Sequence, residues 1–107
     1  MYRYTTPTLP VTISDLDFAD VDLFRIAIEQ GNVEMLKVVE ADDPSIDAAH
    51  KTIYVPLTQE ETASFKDGTV QIQARVKFTN GSVLATNKVS LSVKDVLDEV
   101  IIYWNLK

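Results

Sequence analysis

The chain has 107 residues, 46% of them apolar, which is enough for one core and too little for two. Its 16 acidic against 10 basic residues leave a net charge of −6, and the lysines are scattered from Lys37 to Lys107, so a phosphate backbone would be repelled and no nucleic-acid partner is expected. There is no cysteine, which removes disulfides, thiol nucleophiles and cysteine-ligated zinc, and no apolar run approaches the roughly 20 residues that span a bilayer, so no membrane partner is expected either.

The opening residues, Met1 to Pro7, lack the basic start and apolar stretch of a secretory leader, which points to a cytoplasmically made protein. Thr8 to Ile13 reads as a first strand. Pro10 cannot donate a ladder hydrogen bond, so that strand belongs at a sheet edge or the proline near the strand's own start. Asp20 to Gln30 is a longer strand with Phe24, Ile26 and Ile28 on one face and Arg25, Ala27 and Glu29 on the other. Gly31-Asn32 breaks it into a short hairpin, and Val33 to Glu40 returns. After a turn-rich Ala41 to Ser45, the stretch Ile46 to His50 fits a short strand or irregular chain. Thr52 to Leu57 is a strand with Ile53, Val55 and Leu57 on one face.

Thr58 and Glu61 have capping-box spacing, so a one- or two-turn helix is expected near 58–65, with Phe65 packing back to the core and Gly68 stopping it in a left-handed conformation. Thr69 to Thr79 alternates: Val70, Ile72, Ala74, Val76 and Phe78 face in, whereas Gln71, Gln73, Arg75 and Lys77 face a wet outer side. Asn80-Gly81 suits a type I′ hairpin turn. Ser82 to Thr86 returns, Thr86-Asn87 marks a bulge or kink, and Lys88 to Val93 continues with Val89, Leu91 and Val93 on one face. In the tail, Val96, Leu97, Val100 and Ile101 have helical spacing while Val100 to Trp104 is a β-type run, so the sequence leaves helix and strand open over 95–104. Together these describe an all-β protein, an immunoglobulin-like antiparallel sandwich of about seven strands with one short helical turn, forming a single domain over 1–107 with its core in about 8–102 and ends free to be flexible.

Candidate sites are few. Asp15, Asp17, Asp20 and Asp22 form the densest carboxylate cluster, but no glycine permits a sharp ligand loop and no glutamate closes it, so they read as a solvated, edge-protecting loop and no metal or other cofactor is expected. His50, the one histidine, has no nucleophile at a telling spacing. Glu60-Glu61 fits capping rather than the opposed carboxylates of glycoside chemistry. The three glycines are turn residues rather than a phosphate loop, and no catalytic set can be assembled. Tyr103 and Trp104 at one end and Tyr2 and Tyr4 at the other are the interaction candidates, brought into one aromatic patch if the termini lie together.

The run Leu57-Thr58-Gln59-Glu60-Glu61-Thr62, then Phe65, Gly68-Thr69-Val70-Gln71-Ile72-Gln73, the Asn80-Gly81-Ser82 hairpin and the closing Leu91-Ser92-Val93 resemble small immunoglobulin-like sandwich proteins of Gram-positive phages and prophages, including the N-terminal domain of upper baseplate proteins. The likeness covers about Ile53 to Val93; the first half matches in outline, through its Thr8-Leu9-Pro10 edge strand and the long strand from Asp20. It implies a non-enzymatic, virion-associated structural role, with other phage structural proteins or a second copy as partner. The Cys…Trp…Cys framework of antibody domains is absent. No receptor-binding or coiled-coil segment accompanies these residues, so a stand-alone subunit is expected. The rival class is a carbohydrate-binding or cell-surface adhesion module, which needs exposed aromatic rings on one sheet face.

Overall fold

The structure, a computed structural model, describes residues 1–102. Eight strands are defined: β1 Thr8–Thr12, β2 Val21–Gln30, β3 Val33–Glu40, β4 Ile46–Asp47, β5 Thr52–Pro56, β6 Gly68–Phe78, β7 Val83–Ala85 and β8 Val89–Val93, with one short helix, α1 Gln59–Ala63. They form two antiparallel sheets. Sheet I runs β1-β5-β4, and sheet II runs β3-β2-β6 with β7 and β8 on the far side of β6. The chain is therefore a β-sandwich with a lone helical piece.

Two-residue periodicity sets the faces. Phe24, Ile26 and Ile28 of β2 and Val70, Ala74 and Val76 of β6 meet Leu9 of β1, Ile53 and Val55 of β5 and the following Leu57 in one core. Val21 also faces in although it stands three residues from Phe24. The reason is a bulge: Val21 pairs with Phe78 but Leu23 pairs with Lys77, which leaves Asp22 unmatched and turns the strand by one position. A 3-10 turn at Phe18–Asp20, capped by Asp17, leads into β2 and packs Phe18 on Phe24, ring centroids 5.1 Å apart.

The expected capping box is present. Thr58 Oγ1 accepts the Glu61 N–H at 3.1 Å, and Glu61 Oε1 accepts the Thr58 N–H at 2.9 Å. Phe65 packs into the core, as expected. Gly68 does not stop the helix: α1 closes at Ser64, and Gly68 opens β6 at φ +142°, outside the left-handed helical well and open to glycine alone.

The Asn80-Gly81 turn is not type I′. Only Gly81 has positive φ; its N–H returns to the Phe78 carbonyl at 2.9 Å, and the Phe78 N–H reaches the Ser82 carbonyl at 2.9 Å. This is a three-residue loop of a type I turn followed by a left-handed glycine. The Asn80 side chain decides it, since its oxygen accepts the Ser82 N–H at 2.9 Å. The kink expected at Thr86-Asn87 is a one-residue bulge. Arg75 pairs with Ala85 and Ile72 with Val89, so Gln73 and Ala74 face three residues, Thr86 to Lys88. The Thr86 hydroxyl accepts the Ala74 N–H at 3.1 Å, repairing the ladder. Beyond the bulge Val93 is buried, but Val89 is 61% exposed and does not join the core. The tail through Ile102 is neither helix nor strand.

Candidate interaction surfaces

The two ends of the chain lie together. The Met1 ammonium donates to the Ser92 carbonyl at 2.9 Å, the Lys94 N–H to the Met1 carbonyl at 2.8 Å, and the Arg3 N–H to the Lys94 carbonyl at 2.9 Å. Residues 1–3 thus run parallel along the end of β8. Arg3, 14% exposed, clamps three segments: Nη1 holds Asp95 and Glu99, each at 2.9 Å, and Nη2 donates to the Ala63 carbonyl at the end of α1. Its guanidinium also sits 5.3 Å from the centroid of the Tyr4 ring. Gln59 adds a second anchor, its carboxamide pairing with both the N–H and the carbonyl of Ile102.

Of the aromatic candidates, Tyr2 is exposed and bridged to Lys94, and Tyr4, at φ +60°, is half-buried in a cleft with Ile101 and Ile102. Tyr103 and Trp104, the other two candidates, lie outside the described residues. The exposed apolar residues of the tail, Leu97, Val100 and Ile102, escape a search for aromatics alone.

The aspartate cluster is dispersed by its local structure. Asp17 Oδ1 accepts the Ala19 N–H at 3.0 Å, and Asp22 pairs with Lys77 across the bulge at 3.4 Å. Among the described residues no three His, Cys, Asp or Glu side chains are grouped to hold a metal. His50 Nδ1 lies 2.7 Å from Asp47 Oδ2, a pair the sequence reading missed, although i,i+3 spacing within a turn could have shown it. That hydrogen bond to His50 is the main reason the Asp47 carboxyl lies below its ordinary range. The imidazole is exposed, and among the described residues no hydroxyl hydrogen-bonds its Nε2, so a base and its orienting acid stand without a nucleophile. Glu61 serves the capping box and an ion pair to Lys37 of β3. Burial raises its pKa, but the Lys37 ammonium and the Thr58 N–H together outweigh that and leave it low.

Sheet edges are where the fold offers contact, and most are blunted. In β1 the Leu57 N–H to Pro7 and Ile13 N–H to Lys51 bonds assign Leu9 and Val11 to the ladder with β5, so Pro10 lies on the free side. β4 has two residues, and β3 carries Glu34, Lys37 and Glu40. The end of β8 is covered by residues 1–3. β7 differs. The Phe78 to Ser82 and Thr86 to Ala74 bonds turn Ser82, Leu84 and Thr86 toward β6, which leaves the N–H and carbonyl of Val83 and Ala85 directed outward. Val83 is 52% and Leu84 40% exposed, and the strand has no charge and no proline. Between β7 and β1 lies a cleft of about 560 Å³, lined by Pro10, Val11 and Ile13 on one wall and Leu84, Ala85 and Val89 on the other.

The outer face of sheet II is less polar than its β6 residues suggest, because Leu36 and Val38 of β3 stand exposed beside Ala27 and Arg25 of β2. It carries no aromatic ring from β2, β3, β6 or β7, so a sugar-stacking platform is not assembled there. No helix among the described residues is long and apolar enough to cross a membrane. Comparison with protein-family models, with curated proteins and with solved structures finds no match to this chain.

Proposed function

We propose that this chain is a non-enzymatic, virion-associated structural subunit of a phage or prophage, immunoglobulin-like in fold, working through contacts with other phage structural proteins or with itself. The observation that carries the reading is the β7 edge: three exposed, uncharged residues, the backbone groups of Val83 and Ala85 outward, beside a cleft with apolar walls, while the other edges are short, charged, proline-bearing or, at β8, covered at one end. An extended segment of a partner pairs with Val83 and Ala85 and places an apolar side chain in the cleft. The residues from Leu57 to Gln73 that resemble baseplate-type sandwiches support the same role, as does the parallel run of residues 1–3 along β8, which ties the chain's beginning into sheet II.

Mass spectrometry of purified particles induced from the source strain tests it. The chain is expected there in stoichiometric amount, and Leu84→Lys, which puts a charge on the edge without touching the core, is expected to fold yet be lost from the particles. Absence of the wild-type chain from particles, or undiminished incorporation of the variant, refutes the proposal.

A further inference from the structure

The register between strands exposes two pairings that weaken the isolated molecule. On the outer face of sheet II, Arg25 of β2 lies directly opposite Arg75 of β6. Four residues on, Glu29 of β2 lies directly opposite Glu34 of β3. Like charges facing across an antiparallel pair are destabilising. None of these four side chains has an ion-pair partner among the described residues. Midway between the two charged rows stands a neutral row, Leu36–Ala27–Gln73, in which Leu36 is 42% exposed.

The two rows carry opposite signs and sit at equal distances, two residues each way, from Ala27. That pattern is self-complementary under a two-fold axis lying across the strands at the level of Ala27. Such an axis reverses strand direction, so Arg25 of one copy comes over Glu29 of the other and the reverse, while Leu36 and Ala27 of both copies meet in the middle. Each like-charge pair then gains one counter-charge, through Arg25 or Glu29, while Glu34 comes over Val38 and Arg75 over Gln71 of the other copy.

We infer that the outer face of sheet II is a homodimer interface, joined two-fold through reciprocal Arg25–Glu29 pairs around Leu36 and Ala27. This rests on reading the chain as a contact module, but it uses the outer face of the sheet rather than the outward backbone groups of the β7 edge. Strand spacing and rise make the patch about 20 Å on a side, roughly 400 Å² per partner, against the roughly 800 Å² per partner of a standard interface. The dimer is therefore weak and reversible, with a dissociation constant in the micromolar range or above, and it loosens with salt.

Charge reversal tests this on the whole chain by sedimentation equilibrium at low salt. At each reciprocal 25–29 contact between copies, Arg25→Glu sets carboxylate against carboxylate and Glu29→Arg sets cation against cation. Each is expected to raise the dissociation constant by about tenfold or more. Both relieve a like-charge pair, so their melting temperatures should equal or exceed wild type, which separates lost association from lost folding. An equimolar mixture of the two variants should associate where neither does alone, and the double variant R25E/E29R should recover wild-type behaviour. A wild type that stays monomeric at about 1 mM, single variants that dimerise unchanged, or a mixture that fails to associate each overturn the inference. A dimer lost with Leu84→Lys but kept with R25E places the contact on β7, overturning this inference while leaving the proposed function standing.

Discussion

Thr62 is a wholly buried hydroxyl residue in a helix of five, and its removal gives a sharp test of how the N-terminal segment is held. Its Oγ1 accepts the Thr5 N–H at 3.1 Å, donates to the Thr5 carbonyl at 2.9 Å, and lies 3.2 Å from the Gln59 carbonyl. Thr62→Val keeps the side-chain shape and deletes the oxygen. Two hydrogen bonds worth about 1 kcal/mol each are lost, and a part-buried Thr5 N–H is stranded, so the expected cost is about 2–3 kcal/mol. For a domain of this size that lowers the melting temperature by roughly 10–15 °C. Thr62→Ser retains the hydroxyl and loses one methyl, for about 1 kcal/mol. Urea denaturation followed by circular dichroism gives the two costs. Hydrogen exchange at the Lys94 amide, bonded to Met1, reports whether the segment has lifted. A valine variant as stable as wild type, or a serine variant that loses as much as valine, refutes the argument.

Gly68→Ala is expected to cost roughly 1–3 kcal/mol, because φ +142° is closed to L-residues. The added Cβ would meet only the Gln30 amide nitrogen at 3.7 Å, an ordinary contact, so an unchanged urea midpoint would remove backbone strain as the cause. For Glu61 the folded pKa lies below the unfolded one, so its contribution is complete above the ordinary carboxylate range and fades as pH falls through the lowered folded value. Glu61→Gln should therefore be less stable than wild type by about 1 kcal/mol at neutral pH and converge with it in acid; parallel stability–pH curves would contradict this.

Much of the sandwich can be read in the letters wherever a strand's two sides meet different media. β6 alternates because one side is oily and the other wet, and Thr58 with Glu61 announces α1 through purely local chemistry. The misses are of another kind. The bulge at Asp22, which lets Val21 and Phe24 both face in, and the extra residue among Thr86 to Lys88 depend on the neighbouring strand, not on the strand itself. The Asn80-Gly81 turn went astray because the Asn80 side chain took the Ser82 N–H and fixed its own backbone. Arg25 and Arg75 are neighbours only through pairing register, so no local pattern could mark them. The tail defied assignment because it is held by side chains of Arg3 and Gln59, distant in sequence, instead of by a ladder of its own.

The covering of β8 by the chain's first residues has a further consequence. With the far end of β8 occupied, the open stretch on β7 is only three residues long and ends at the bulge. On the proposed reading, a guest strand would find no continuous margin along which to extend. A margin interrupted in this way is protected against edge-to-edge growth into fibres.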